Sequence, residues 1–427
     1  MRVAFRTLGC KVNQVETEQI KENFLARGYK VVAFTDKADI YIINTCTVTH
    51  ISDRKSRSAV RRAGRQNPEA VIAAVGCLPQ VDPAQLSTIE GINLIVGNSD
   101  KEKLVDIIEE YLAEQKADCR IVTGSFCSGT GLNTIDYGCP HQRSRGFIKI
   151  QDGCENFCSY CIVPYARGPV RSKTPLGVLT EIEKMLDLGY RELVLTGINT
   201  GLYGNDIPDW NLGRLMEEVF ARIPGHYRIR LSSIEPLEIS RSLIDVAASE
   251  PRFCRHLHIP LQSGSDRILQ AMNRKYDRVY FANLLHEITG RIEGIAITTD
   301  VIVGFPGENE TDFEQSRELL QEMPVYDLHV FPYSARSGTP AAEMADQVEE
   351  ADKHRRSQLL LDLAREKKKH FIQGLYNRKV EVLVEKRIEG STYQGLSDNY
   401  VPIYLQSEND ITRKLVPVVV GVDGTPV

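Results

Sequence analysis

The stretch CENFCSYC places Cys154, Cys158 and Cys161 in one tight loop, directly after the strand-like run GFIKIQDG. Three thiolates at this spacing can each hold one iron of a [4Fe–4S] cube, whereas a cube held entirely by protein needs four cysteines. The missing fourth ligand leaves one iron open to a substrate or cofactor. Zinc is the competing reading. Structural zinc sites, however, draw ligand pairs from two separated loops and close their tetrahedron.

Cys10, Cys46 and Cys77 share no local motif, yet each ends a strand-like run: AFRTLGC, IYIINTC and AVIAAVGC. In an open parallel sheet the C-terminal strand ends gather along one edge, where ligands bind. Three thiols far apart in sequence can therefore converge. Gly9 and Gly76 precede two of them and permit close backbone approach. Pattern alone leaves the alternative open that these are small buried thiols at strand ends. Cys119, Cys127, Cys139 and Cys254 match no cluster spacing and read as ordinary thiols.

The chain has 427 residues, 42% hydrophobic and 26% charged, which suits two or three soluble domains. No apolar run is long enough to span a bilayer, and the start MRVAFRTLGC lacks a signal-peptide core. A cytoplasmic location without a membrane partner is expected. Ten cysteines there are better suited to metal or catalysis than to disulfides.

A net charge of −5 provides no global attraction for a polyanion, so nucleic-acid binding needs local basic patches. One candidate is the helix expected over Ser52–Gln66, where Arg54, Arg57, Arg61 and Arg65 fall on one face, with Lys55 and Arg62 beside them. A solvated surface helix would look the same. Arg167, Arg171 and Lys173 in VPYARGPVRSK follow the cysteine loop and form a second candidate. No DNA partner is expected.

These groups need elements to position them. Residues 1–115 alternate strands and helices, as in a flavodoxin-like α/β domain with a parallel sheet. Residues 116–139, rich in Gly, Ser, Thr and Asn, read as a linker. Residues 140–370 resume the alternation with six strands, which predicts a partial (β/α)6 barrel rather than a complete one of eight. Helices are expected at Leu176–Leu188 and Glu310–Glu322. Residues 371–427 carry strands without intervening helices and predict a small C-terminal β-barrel of OB-like type.

A Cys-x3-Cys-x2-Cys loop after the first strand of such a barrel resembles the radical S-adenosylmethionine superfamily. The resemblance implies that the open iron of the Cys154/Cys158/Cys161 cluster binds S-adenosylmethionine and that its reduction yields a 5′-deoxyadenosyl radical. It also implies cofactor contacts at strand C-termini. These are Tyr160 over the adenine, Thr196, Gly197 and Asn199 in LTGINTG, Ser232, Ser233 and Glu235 in LSSIEP, and Gln262 and Ser263 in HIPLQSGSD.

The full set TLGCKVN, INTCTVT, AAVGCLPQ, CENFCSYCIVPYARG, LHIPLQSGSD and TTDVIVGFPGE is similar to the methylthiotransferase branch of that superfamily, in its MtaB-type form. This resemblance implies a second [4Fe–4S] cluster on Cys10, Cys46 and Cys77, and a C-terminal TRAM domain. It implies a transferase that methylthiolates C2 of N6-threonylcarbamoyladenosine at position 37, in the anticodon loop of tRNA. One cofactor molecule would donate a methyl group to sulfur and a second would supply the radical. An electron donor and a sulfur donor would be partners. Related branches act on isopentenyladenosine in tRNA or on an aspartate of a ribosomal protein. An RNA-binding iron–sulfur module without catalysis is a further alternative, but a structural site has no reason to keep two irons open.

Overall fold

The computed structural model describes residues 1–114, 118–126, 131–132, 134 and 143–421. Its first strands are β1 (Arg2–Thr7), β2 (Lys30–Val32), β3 (Ile40–Thr45), β4 (Val71–Gly76), β5 (Leu94–Gly97) and β6 (Arg120–Val122). They form one parallel sheet in the order β2-β1-β3-β4-β5-β6. The first five follow the flavodoxin-like order, whose ligand-binding crevice lies where the order reverses, between β1 and β3.

Strand β3 shows why the sheet is covered on both sides. Ile40 and Ile42 enter one apolar layer with Ile20 and Phe24 of helix α1 (Lys11–Ala26). Tyr41 and Ile43 enter the opposite layer with Val60 and Ala63 of helix α2 (His50–Gln66). Alternate residues point to opposite faces, and both faces are dry, so the strand reads as a continuous apolar run.

Several expectations are corrected here. Strand β6 pairs with β5 inside the segment read as a linker, whose remainder falls largely outside the described residues. Its three residues are too few to register against the surrounding Gly and Ser. Helix α2 is capped by Thr49, whose side chain accepts the Ser52 amide at 3.2 Å, so it starts before Ser52. Helix α1 starts at Lys11, directly after Cys10.

Contacts divide the chain into two units. Met1–Gly138, Asp152–Arg171 and Ser334–Ala342 form one, and Cys139–Gln151, Ser172–Tyr333 and Glu343–Val427 the other. The loop with Cys154, Cys158 and Cys161 thus belongs with the N-terminal sheet. It is flanked by the two-residue strands β8 (Gln151–Asp152) and β9 (Arg171–Ser172).

The second unit contains six parallel strands after β7 (Gly146–Lys149) is counted: β10 (Glu192–Thr196), β11 (Arg228–Leu231), β12 (His256–His258), β13 (Ala296–Val303) and β14 (Asp327–Pro332). They lie in two three-stranded sheets, β11-β10-β7 and β12-β13-β14, linked by bridges at Ile229–Phe253 and Ser233–His258. The helices expected between them occur at Pro175–Asp187 and Glu310–Glu322.

The C-terminal strands β15 (Lys379–Glu389), β16 (Thr392–Ser397), β17 (Pro402–Gln406) and β18 (Leu415–Val419) form an antiparallel sheet in the order β17-β16-β15-β18, with register shifts in β15. This sheet is tied to the barrel by buried charge. Glu192 accepts hydrogen bonds from Arg228 and Arg230. The same guanidiniums donate to the carbonyls of Glu381, Leu396, Ser397 and Asp398. Burial alone would raise the Glu192 carboxyl, but Arg230 and Arg228 hold it down at about 2.

Candidate functional site

Cys10, Cys46 and Cys77 lie at the C-terminal ends of β1, β3 and β4; Cys10 is the cap residue of α1, Cys46 opens the turn that leads to α2, and Cys77 begins the short helix Cys77–Val81. Helix N-termini favour thiolates. The first two loops touch closely: Gly9 has φ +99°, and a Cβ there would lie 2.7 Å from Cys46 Cβ and 3.0 Å from Cys46 Sγ. As free thiols they are costly to ionise. Burial pushes Cys46 up to about 11, with the neighbouring Cys77 charge adding to it. The protein crowded around the Cys10 sulfur also raises it, against the pull of Arg167, although the residue as a whole is exposed. Iron binding must displace these protons.

Among the described residues, only His258, Asp300 and His329 bring three potential ligand atoms within 4.8 Å of one another. The all-thiol donor sets of the two cysteine triads fit a polynuclear iron–sulfur cluster.

A polar network fixes the three N-terminal loops. The Asn13 side-chain amide donates to Leu8 O at 2.7 Å and to Thr45 O at 2.9 Å, holding the Cys10 and Cys46 loops together. The Asn98 amide donates to Cys77 Sγ at 3.4 Å and to Ala166 O at 2.8 Å. Arg167 Nη1 lies 2.5 Å from Glu16 Oε1 and 3.3 Å from both Asp152 oxygens, and Nη2 donates to Asn13. Lys101 Nζ meets Glu16 Oε2 at 2.7 Å. Sequence inspection missed Lys101 and Asn98 and gave Glu16 no role of its own, because nothing local marks a polar or charged residue as buried.

The loop of Cys154, Cys158 and Cys161 closes on itself. Cys154 N donates to Gly168 O at 3.1 Å and Cys161 N to Cys158 O at 2.9 Å. Gly153 has φ +81°, and a Cβ there would lie 1.8 Å from Pro169 O, so only glycine fits. Phe157 adopts a left-handed φ of 43° and packs edge-on against Tyr165, both rings half exposed. Tyr160, between them in the chain, is half-buried.

The expected cofactor contacts other than Tyr160 lie in the second unit. Thr196 ends β10, and Gly197 has no room for a Cβ, which would sit 2.8 Å from Gln151 Oε1. The same Gln151 oxygen accepts the Asn199 amide at 2.9 Å, while the Asn199 side chain donates to Glu238 at 2.8 Å. Ser232 is buried and its hydroxyl has no protein partner, which suits a ligand hydroxyl. Ser233 presents its carbonyl to Thr200 at 2.6 Å. Gln262 is in the left-handed region at φ 68°. Two side chains are taken up by the protein instead: Glu235 pairs with Arg274, and Ser263 Oγ meets Ser316 Oγ at 3.3 Å.

A histidine ladder not singled out from the sequence lines one face of β12, β13 and β14. Asp300 Oδ1 is 3.1 Å from both His258 Nε2 and His329 Nδ1, and His258 Nδ1 is 2.8 Å from Thr298 Oγ1. Its signal was the two-residue spacing in HLH and TTD, which puts polar groups on one face of a strand.

The basic candidates separate. Arg54, Arg61 and Arg65 of α2 are exposed, and Arg57 is partly buried and donates to Gln85 at 2.7 Å. The second group is corrected: Arg167 and Lys173 are each only 1% exposed and pair with acidic side chains, so neither presents charge to RNA. Arg171 is partly buried against Asp152 and the Phe126 ring. Motif proximity suggested exposure, but the carboxylates of Glu16, Asp152 and Glu181 draw these cations inward. Cys119 and Cys254 pack in the core, while Cys127 and Cys139 lie outside the described residues.

Comparison with known proteins agrees with this geometry. Residues 2–97 match the model described as "Uncharacterized protein family UPF0004", and residues 148–320 match the radical SAM superfamily. The chain is 41% identical to threonylcarbamoyladenosine tRNA methylthiotransferase MtaB of Bacillus subtilis, over 99% of this chain and 94% of that protein. It is 34% identical to tRNA-2-methylthio-N(6)-dimethylallyladenosine synthase of Carboxydothermus hydrogenoformans, over 96% of this chain and 94% of that protein. Its fold is similar to that of TsrM, a radical S-adenosylmethionine methyltransferase from Kitasatospora setae, with a TM-score of 0.63 at 14% identity, covering 80% of this chain and 74% of that one. With two cysteine triads on a flavodoxin-like sheet and the loop packed with it, and with full-length relatives of this kind, the chain belongs to the radical S-adenosylmethionine tRNA methylthiotransferase family.

Proposed function

We propose that this enzyme methylthiolates C2 of N6-threonylcarbamoyladenosine at position 37 of tRNA. The observation that carries the reading is the 41% identity over nearly the whole chain to a relative of that name. The dimethylallyladenosine-specific relative, at 34%, makes the isopentenylated nucleoside the second reading.

The C2–H bond of adenine is unactivated, so side-chain acid–base chemistry does not remove it at useful rates. The cofactors, S-adenosylmethionine and two [4Fe–4S] clusters, supply the radical and the methylated sulfur when bound. Cys154, Cys158 and Cys161 would hold one cluster, and Cys10, Cys46 and Cys77 the other. Ser232, the Gly197 backbone and Gln262 are candidates to orient the S-adenosylmethionine. The closed Cys154–Cys161 loop and the dry sheet around Cys46 and Cys77 limit access of water to the thiolates. The exposed Arg54, Arg61 and Arg65 would position anticodon-loop phosphates, while the base itself is presented from a single-stranded loop. An electron donor, a sulfur donor and a cytoplasmic setting complete the reading.

Nucleoside mass spectrometry of tRNA from a deletion strain tests it. The expected result is loss of 2-methylthio-N6-threonylcarbamoyladenosine with accumulation of its unthiolated precursor. Loss of the methylthiolated isopentenyl nucleoside instead would establish the second reading.

A further inference from the structure

Arg167 is buried, with both terminal nitrogens committed to Glu16, Asp152 and Asn13. Its Nε is also buried and has no hydrogen-bond partner. A buried N–H without an acceptor is costly, and in native proteins such a group generally has one that is not protein. Its neighbours indicate where the acceptor lies. Ala166, its neighbour in the chain, accepts from the same Asn98 amide that donates to Cys77 Sγ. Asn13, which Arg167 contacts, also receives the weak Cys10 thiol contact at 3.9 Å. Arg167 therefore stands beside two of the three N-terminal cysteines with one N–H unspent.

We infer that Arg167, supplied by the segment that follows the Cys154–Cys161 loop, is a positioning residue of the N-terminal cluster, donating its Nε–H to a cluster sulfur or to the Cys10 or Cys77 thiolate. Glu16 and Asp152 hold the planar guanidinium by its terminal nitrogens, so its orientation is set before the cluster is assembled. Hydrogen bonds and buried positive charge near a cluster favour its reduced, more negative state. Arg167 thus ties the redox behaviour of the N-terminal cluster to the peptide that carries the other cysteines. This rests on the reading that Cys10, Cys46 and Cys77 hold a cluster.

The test uses the full-length chain with Cys154, Cys158 and Cys161 replaced by alanine, so that only the N-terminal cluster remains after anaerobic reconstitution. Arginine is labelled with ¹⁵N, and the reduced cluster is studied by pulsed electron paramagnetic resonance and by redox titration. An arginine nitrogen coupling is expected and should vanish in Arg167→Lys. In Arg167→Gln the reduced state should be disfavoured at least tenfold, a fall of about 59 mV for one electron. Arg167→Lys, which keeps the charge without the planar N–H, should recover part of that fall. If Arg167→Gln does not retain iron, the coupling in the unsubstituted arginine protein and its loss in Arg167→Lys decide the matter. A cluster with no arginine coupling and an unchanged potential would overturn the inference alone. Absence of iron from the alanine-substituted chain that still folds would overturn the underlying cluster reading and the inference with it.

Discussion

Arg167 and Glu16 lie 151 residues apart in the chain, yet their side chains meet at 2.5 Å in a buried ion pair. Glu16 belongs to the first helix, immediately after the Cys10 loop, and Arg167 ends the short helix Val163–Arg167 after Cys161. The pair fastens the peptide of one cysteine triad to the sheet that displays the other.

Glu16→Gln should therefore be strongly destabilising. It leaves the buried Arg167 and Lys101 with too little compensating charge, and breaking a buried pair costs about 3–5 kcal/mol. Urea unfolding of the variant measures this. A loss below about 1 kcal/mol would show that the network is hydrated rather than dry.

Iron content should divide cleanly between the triads. Anaerobic reconstitution of the full chain is expected to give about eight irons, and Cys10→Ala or Cys154→Ala about four each. Iron near four in the unsubstituted protein, unaffected by Cys10→Ala, would remove the N-terminal cluster from the account.

Two acid–base groups, one buried and one half exposed, predict opposite pH effects in the second unit. Glu192 is held at about 2, below its ordinary 4.5, by Arg230 and Arg228. Its contribution is complete above pH 4.5 and is lost as pH falls toward 2, an effect of about 3 kcal/mol. Glu192→Gln should flatten that acid limb in denaturation followed against pH. The hydrogen bond from Asp300 raises His329 above its ordinary 6.5. Its contribution is complete below pH 6.5 and fades as pH rises through the raised value, and His329→Ala should abolish that alkaline component. The effect is small because the ring is half exposed to solvent screening.

The basic face of α2 should act through charge. Replacing Arg54, Arg61 and Arg65 with alanine is expected to weaken tRNA binding and to lower the salt-dependence slope by roughly one per lost phosphate contact. Filter binding across a salt series measures the slope. An unchanged slope would make this an ordinary solvated helix.

Much of this molecule was legible in local sequence. The apolar run IYIINT reads as a strand buried on both faces because the parallel sheet is covered on both sides. Glu310–Glu322 was read to its residue limits, since Asn309 and Asp312 form a reciprocal capping box at its start. Strand β6 was not legible, because three residues carry too little periodicity to stand out. Arg167 and Lys173 were misjudged as surface cations, because the acids that neutralise them are far away in the chain or hidden on the buried face of the next helix.

By itself the sequence determined the types and local order of the reactive groups: one triad in a single loop, another at three strand ends, and a basic helix. Backbone spacing and hydrophobic period are local properties, so they survive without the fold. Only the tertiary structure decided that the Cys154–Cys161 loop packs with the N-terminal sheet, which cations are buried, and that a histidine ladder faces one side of the barrel strands. These depend on charges brought together across long stretches of chain. Their energies come from desolvation and pairing, which no single segment contains.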